Sequence, residues 1–388
     1  MKGIYLDFNA TTPVLPEVAA AMLPYLCEEY GNASSIHRWG QRARAAVEQA
    51  RESVALLIGA RPSEVVFTSG GTESDNLAIF GVAPASGRER HAITTAIEHH
   101  AVLNTCEALE RDGVAVTFVP VGRSGIVDPT AVADALRPET TLISVMLANN
   151  ETGAIQPISE IARIGREHGV LVHTDAVQAA GKIPIDVRAL GVDLLSISGH
   201  KIYAPKGVGA LWVRKGVRIR PQIYGGRHER ERRAGTENVP GIVAMGAAAE
   251  IARRELAAES ARIARLRDRL ECFMIERVPD VFVNGDPAHR VPNTTNLTFD
   301  GIEGEALVIA LDLQGISCST GAACSSGAIE PSHVLTAMGL RAELARATLR
   351  ISLGKQNSEA DVNRVLELLP PVVARLRALS PVYREKAS

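Results

Sequence analysis

The sequence predicts an α/β protein in two parts: a large domain on a doubly wound, mostly parallel sheet, and a smaller α+β domain. Three observations carry this expectation. From residue 64 to about 215, short β-branched runs alternate with segments of helical period. Those runs are apolar throughout rather than at every second position, as suits strands covered on both faces. From about residue 239 the alternation gives way to one long helical stretch, then to a mixed set of strands and helices. A chain of 388 residues has room for two such domains.

In order, strands are expected in EVVFTSG (64–70), HAITTAI (91–97), AVTFVPV (115–121), TLISVMLA (141–148), VLVHTDAV (170–177), DLLSISG (193–199) and GVGALWV (207–213). Helical segments follow the first four: SDNLAIFGVA, HHAVLNTCEALERDG, DPTAVADALRP and PISEIARIGREHG. Residues 239–279 read as a single helix leading out of the first domain. Beyond it come strand-like NTTNLTFDG (293–301), helical EALVIALDLQG (305–315), strand-like ISCS, helical PSHVLTAMG (331–339), strand-like TLRISLG (348–354) and a closing helix from about 358.

Composition narrows the function. Apolar residues make up 46% and charged residues 22%, the balance of a soluble globular protein. A formal net charge of −2 argues against general nucleic-acid binding. No apolar run approaches a membrane span. MKGIYLDFNATTP enters strand-like sequence directly, without signal or transit character, so a cytoplasmic protein is expected. Five scattered cysteines (Cys27, Cys106, Cys272, Cys318 and Cys324), with no C-x-x-C pair, argue for free thiols rather than disulfides or a zinc site.

A doubly wound sheet binds its ligands at the carboxyl ends of its strands, and polar residues gather there. FTSGGTESDN offers Gly70, Gly71 and Thr72 where a helix begins, a place for a phosphate. AIEHHAV puts His99 and His100 past the second strand, and MLANNETG puts Asn149, Asn150 and Glu151 past a later one. Each of these alone reads as ordinary turn or capping chemistry. In VLVHTDAVQAAG, Asp175 ends a run that should be buried, with Gln178 three residues on. In DLLSISGHKIYAPKG, Ser198, Gly199, His200 and Lys201 end another. Packing alone almost never puts a lysine there, and desolvation lowers its pKa and suits it to a Schiff base. Lysine, buried aspartate and a Gly/Ser/Thr cup together are what pyridoxal phosphate needs.

The motifs YLDFNATTP, GNASSIH, FTSGGTESDN, EHHAV, ANNETG, HTDAVQ, SGHKIYAPKG, RRAGTEN, CSTGAACSSG, EPSHVL and LRISLG, in this order, resemble those of the NifS/IscS-type cysteine desulfurases. These are pyridoxal-phosphate enzymes of fold type I, the aspartate-aminotransferase-like fold. The resemblance implies a large cofactor-binding domain over 15–255. The small domain would take 1–14 with 256–388 and carry a cysteine loop at about 316–332. Lys201 would hold pyridoxal 5'-phosphate as a Schiff base and move the substrate's Cα proton. Asp175 would pair with the pyridinium nitrogen, Gln178 with the phenolic oxygen, and His99 would stack on the ring and serve acid–base steps. Gly71, Thr72, Ser198 and His200 would hold the phosphate. Thr236 would reach the phosphate of the neighbouring subunit of a homodimer. Asn150 would contact cofactor and substrate, Arg350 the substrate carboxylate, and Cys324 would accept sulfur.

The implied reaction turns L-cysteine into L-alanine and leaves a persulfide on Cys324. The sulfur is then passed to an acceptor protein such as an iron–sulfur cluster scaffold. Within GISCSTGAACSSGAIEPSHV (315–334), Cys324 sits among small residues that cost a loop little to order, while Cys318 reads as a small buried thiol. Rival readings are a selenocysteine lyase, another enzyme of the same cofactor class, or a non-catalytic thiol or iron–sulfur binding protein. Five positions depart from the family pattern: Phe8 where Asn is common, Gly199 where Ala is, Ala204 where Gly is, and Arg227 and Glu231 where glycines are expected.

Overall fold

In a computed structural model, which describes residues 3–82, 90–321, 331–380 and 383, all seven expected strands form and enter one sheet. Strand β1 (Ile4–Tyr5) lies outside it. The seven are β2 (Val65–Thr68), β3 (His91–Thr95), β4 (Ala115–Val119), β5 (Thr140–Ser144), β6 (Leu171–Asp175), β7 (Leu194–Ser198) and β8 (Gly209–Val213). Their order across the sheet is β2-β8-β7-β6-β5-β3-β4. The run from β7 to β4 is parallel throughout, whereas β8 runs antiparallel to both β7 and β2. That reversal has a local cause. The link from β7 to β8 holds only one short 3-10 turn, Gly199–Lys201, and a parallel return needs a crossover of about a dozen residues.

Burial explains the apolar runs. Every residue of β2, β3, β7 and β8 is buried, because helices cover both faces of the sheet. One face packs Val66, Leu142, Leu194 and Leu211 against the helices Gly71–Val82 and His100–Arg111. The other packs Phe67, Ile143, Leu195 and Trp212 with residues from the helices Arg38–Leu57 and Val239–Arg277. Those last two helices cross closely at Gly246, where a Cβ would lie 2.6 Å from the Cα of Ala50.

The helix Val239–Arg277 has 39 residues, which makes it about 58 Å long. Its first part, through Ala252, belongs to the core of the large sheet. Its second part, from Ile263, belongs to a separate core with Leu297, Phe299, Leu349 and Ile351. That second core lies under a three-stranded antiparallel sheet. Its strands are β9 (Val281–Val283), β10 (Thr294–Phe299) and, after β11 (Ile316–Ser317), β12 (Thr348–Ser352). The N-terminal strand β1 pairs in parallel with β11, so the chain starts in the second core and crosses to the large sheet at residues 7–12. This crossing segment passes directly over the strand ends where the chemistry gathers.

Candidate functional site

Strand β7 ends at Ser198, and the 3-10 turn behind it carries Gly199, His200 and Lys201 into the gap between the two cores. The crossing segment meets Lys201 there. Its amine donates to the carbonyl of Asn9 and, at 2.7 Å, to that of Ala10. Burial lowers the pKa of Lys201 to about 8, and the nearby Arg350 guanidinium adds to the effect. A lysine in this state is in large part a free amine in mildly alkaline solution.

Strand β6 ends at Asp175, beside β7 in register with Ser196. One carboxylate oxygen accepts from the Val177 amide at 2.8 Å. Burial raises Asp175 to about 6, against the pull of that amide and of Lys201. Two further buried carboxyls crowd it. Asp75 is raised by burial and by Asp175, and Glu98 is raised by burial to about 8. Glu98 is gripped by the Thr95 hydroxyl at 2.5 Å and the Met146 amide at 3.0 Å. Environment thus separates them: at neutral pH Glu98 keeps its proton and Asp175 carries the charge, while burial and Asp175 push Asp75 up.

His99 caps the helix His100–Arg111, its Nδ1 accepting from the Ala101 amide at 3.1 Å. Burial, then the charge of Lys201, lowers its pKa to about 4. The ring is therefore neutral, with its proton on Nε2. His200 is lowered to about 4 in the same way, and its Nδ1 meets the Thr11 hydroxyl at 3.1 Å.

The glycine-rich turn after β2 opens the helix Gly71–Val82 next to this group. A Cβ at Gly71 would lie 2.9 Å from Val177 and 3.5 Å from the Ser198 side chain. Gly71, Thr72 and Ser198 thus meet at one helix N-terminus, where a phosphate could be held, and His200 stands two residues past Ser198. Gln178 donates to the Asn9 carbonyl at 2.9 Å. Asn149 is turn chemistry: its Oδ1 accepts from the amides of Glu151 and Thr152, at 2.9 and 3.0 Å. Asn150 differs, since its Oδ1 is buried with no partner. Arg350 enters from β12. Its Nη1 donates to the Asn150 carbonyl at 3.2 Å and its Nη2 to Asp7 at 2.7 Å, while Nε is buried and unpartnered.

A carboxylate at a strand end, a desolvated amine, a phosphate cradle and two orphaned polar atoms fit pyridoxal phosphate and an amino-acid carboxylate. Thr236 stands apart. It is exposed and makes no hydrogen bond to these residues. Its segment is tied to the cradle by Arg233, whose Nε donates to Glu73 at 2.8 Å. Cys324 lies outside the described residues. Cys318 is described, and burial pushes its thiol up to about 12.

The departures from the family pattern have structural counterparts. Phe8 is buried against Tyr5 and Tyr203, in space that Gly354 leaves open: a Cβ at Gly354 would lie 2.2 Å from the Phe8 ring. Gly199 and Ala204 compensate for one another, since a Cβ at 199 would stand 3.2 Å from the Ala204 methyl and 2.8 Å from Val208. Glu231 adopts φ 66°, after Glu229 at 45° and Arg230 at 57°, so the expected glycine position does demand left-handed backbone. A buried pair holds this run: Arg51 grips Glu229 with both nitrogens, at 2.7 and 2.8 Å. Arg227 and Glu231 meet at 3.2 Å on the open surface.

Sequence reasoning missed Asp7, Asn9 and Lys182. The available signal was DFNATTP itself, polar residues interrupting an apolar start, but its distance along the chain from Lys201 hid the contact.

Residues 4–365 match the model of the class-V aminotransferases. A cysteine desulfurase IscS of Methanosarcina thermophila is 51% identical over 98% of this chain and 94% of its own length. A solved NifS-like protein superposes with a TM-score of 0.91 at 40% identity, covering 96% of this chain and all of the other. SspA, solved in complex with cysteine, superposes with a TM-score of 0.81 at 38% identity over 90% of this chain and 98% of its own.

Proposed function

The chain belongs to the class-V aminotransferase family, and from that premise we infer that it is a pyridoxal-phosphate-dependent cysteine desulfurase. The observation that carries the assignment of roles is the Lys201 amine, lowered to about 8 and held by two carbonyls between Asp175 and the neutral His99. Pyridoxal phosphate, when bound, supplies an electron sink for charge that develops at the substrate's α-carbon.

The chain's own residues do the rest. Lys201 would hold the cofactor through its amine, and that amine is placed to move the Cα proton. Asp175, ionised above about pH 6, would pair with the pyridine nitrogen. Gln178 would donate to the phenolic oxygen, and His99, with its Nε2 proton available, would stack on the ring and serve acid–base steps. Gly71, Thr72, Ser198 and His200 would hold the phosphate. Asn150 and Arg350, with their unpartnered Oδ1 and Nε, orient the cofactor and the carboxylate of L-cysteine. Cys324 takes the substrate's sulfur. One carbon–sulfur bond breaks, one sulfur–sulfur bond forms, and the carbon skeleton leaves as L-alanine, so no outside oxidant is needed.

The assembly we propose is a homodimer. Its support is the number of large apolar side chains left exposed, among them Leu23, Leu26, Tyr30, Ile36 (90% exposed), Ile223 and Tyr224. Thr236, exposed as well, would serve the neighbouring subunit. Residues 15–255 form the large unit, and 1–14 with 256–388 the small one, supported by the change of core between Ala252 and Ile263. Among the described residues no helix is long and apolar enough to cross a membrane. Cytoplasmic delivery of the persulfide sulfur to an iron–sulfur cluster scaffold is the role we propose for the product.

Replacing Lys201 by alanine tests the core of this reading. Borohydride reduction should no longer fix the cofactor to the protein. A linkage that survives moves the role to another lysine. Comparing alanine release from cysteine and selenocysteine separates a desulfurase from a selenocysteine lyase.

A further inference from the structure

A second lysine lies beside the first. Lys182 follows the turn after β6, and its amine reaches two side-chain oxygens, Gln178 Oε1 at 2.6 Å and Asn9 Oδ1 at 3.2 Å. Among the described residues no carboxylate pairs with it. Burial, then the charges of Lys201 and Arg350, holds its pKa well below that of an ordinary lysine. The amine donates to both, so each of these oxygens meets an N–H.

The contact has a consequence for Gln178. An amide can face either way, with a donor or an acceptor toward a given neighbour. Lys182 donates to Gln178 at 2.6 Å, so it holds Oε1 on its own side. Nε2 then points to the Asn9 carbonyl, at 2.9 Å, which also receives the Lys201 amine. Asn9 is itself fixed. Its Oδ1 takes a second bond from Asn293 at 2.9 Å, and its Nδ2 donates to Thr294 at 2.8 Å.

We propose that Lys182 is a positioning residue that sets the polarity of the Gln178 amide, so that a donor rather than an acceptor faces Lys201 and the cofactor's phenolic oxygen. The proposal rests on the cofactor reading above and deepens it. Without Lys182 the amide is free to turn, and Oε1 loses a buried partner.

The test is a double-mutant cycle on the full chain with Lys182→Met, Gln178→Ala and the pair. Pyridoxal 5'-phosphate is titrated into each apoprotein, and the absorbance of the bound cofactor is then followed against pH. Lys182→Met should weaken cofactor binding about tenfold and shift the pH midpoint. Adding it to Gln178→Ala should cost nothing more. Lys182→Gln, which keeps a donor, should restore much of the affinity, and Lys182→Leu serves in place of Lys182→Met if that variant does not fold. Wild-type affinity and midpoint in the Lys182→Met protein, a Lys182→Gln protein that binds no better than Lys182→Met, or losses that simply multiply in the double variant, overturn the proposal. If the wild-type apoprotein takes up no pyridoxal phosphate, the cofactor reading itself fails, which is a separate outcome.

Discussion

Replacing Asp7 by asparagine should tighten substrate binding while weakening the fold. Asp7 occupies Nη2 of Arg350 at 2.7 Å, and the neighbouring Nε is left unpartnered. Nε and Nη2 form the edge on which a guanidinium takes a carboxylate with two parallel bonds. A cysteine carboxylate arriving at that edge must therefore compete with Asp7. The pair is largely out of water, with side-chain exposures of 7% and 20%. Swapping the charged acceptor for an amide costs about 1–1.5 kcal/mol of interaction in the free protein. The substrate no longer pays that amount, so KM for L-cysteine should fall about five- to tenfold. Steady-state alanine release gives KM, and a thermal melt of the same samples should show a lower midpoint. A raised KM with an unchanged melt would refute the reasoning, because Asp7 would then assist the substrate rather than compete with it.

Lys201 gives a pH prediction. Its folded pKa of about 8 lies below the ordinary 10.5 of a lysine, so the unfolded chain holds the proton longer. Apoprotein stability should accordingly rise between about pH 8 and 10.5, and the rate of pyridoxal phosphate attachment should rise up to about pH 8 and then level. A flat rate from pH 7 to 9 would contradict the depressed value. Gly199→Ala should destabilise by about 1–3 kcal/mol through overpacking, and Ala204→Gly added to it should recover part of that. Full additivity in denaturant melts would deny the coupling. Glu231→Gly should stabilise by about 1 kcal/mol by relieving left-handed backbone, since the surface pair it breaks is worth little. A lower melting temperature would show that the Arg227 contact matters more. Cys318→Ser should leave activity in place, and iodoacetamide at pH 8 should not label Cys318 in the folded protein.

The fold was largely legible because its signals are local. Each of the seven large-sheet strands announced itself as an apolar run, and burial on both faces is the reason for all but the edge strand β4, which is only half-buried. The reversal of β8 was not read, since direction depends on the length of the connection and not on the strand's residues. The helices before residue 60 went unread as well. Among site residues, Lys201 and Asp175 stood out because a charge at the end of a buried run has no packing explanation. Asn150 and Asn149 looked alike in sequence, and only the orphaned Oδ1 of Asn150 separates them. Asn9 and Lys182 were invisible for a different reason. Their roles exist only where a segment from the second core lies across the ends of β6 and β7.

Mass analysis of the cysteine-bearing peptides after a single turnover with L-cysteine tests the central claim most directly. The account predicts a gain of one sulfur atom on the Cys324 peptide, in step with one alanine released, and no gain in the Lys201→Ala protein. Sulfur on the peptides of the exposed Cys27 or Cys272 instead, or alanine released with Cys324 unmodified, would contradict it.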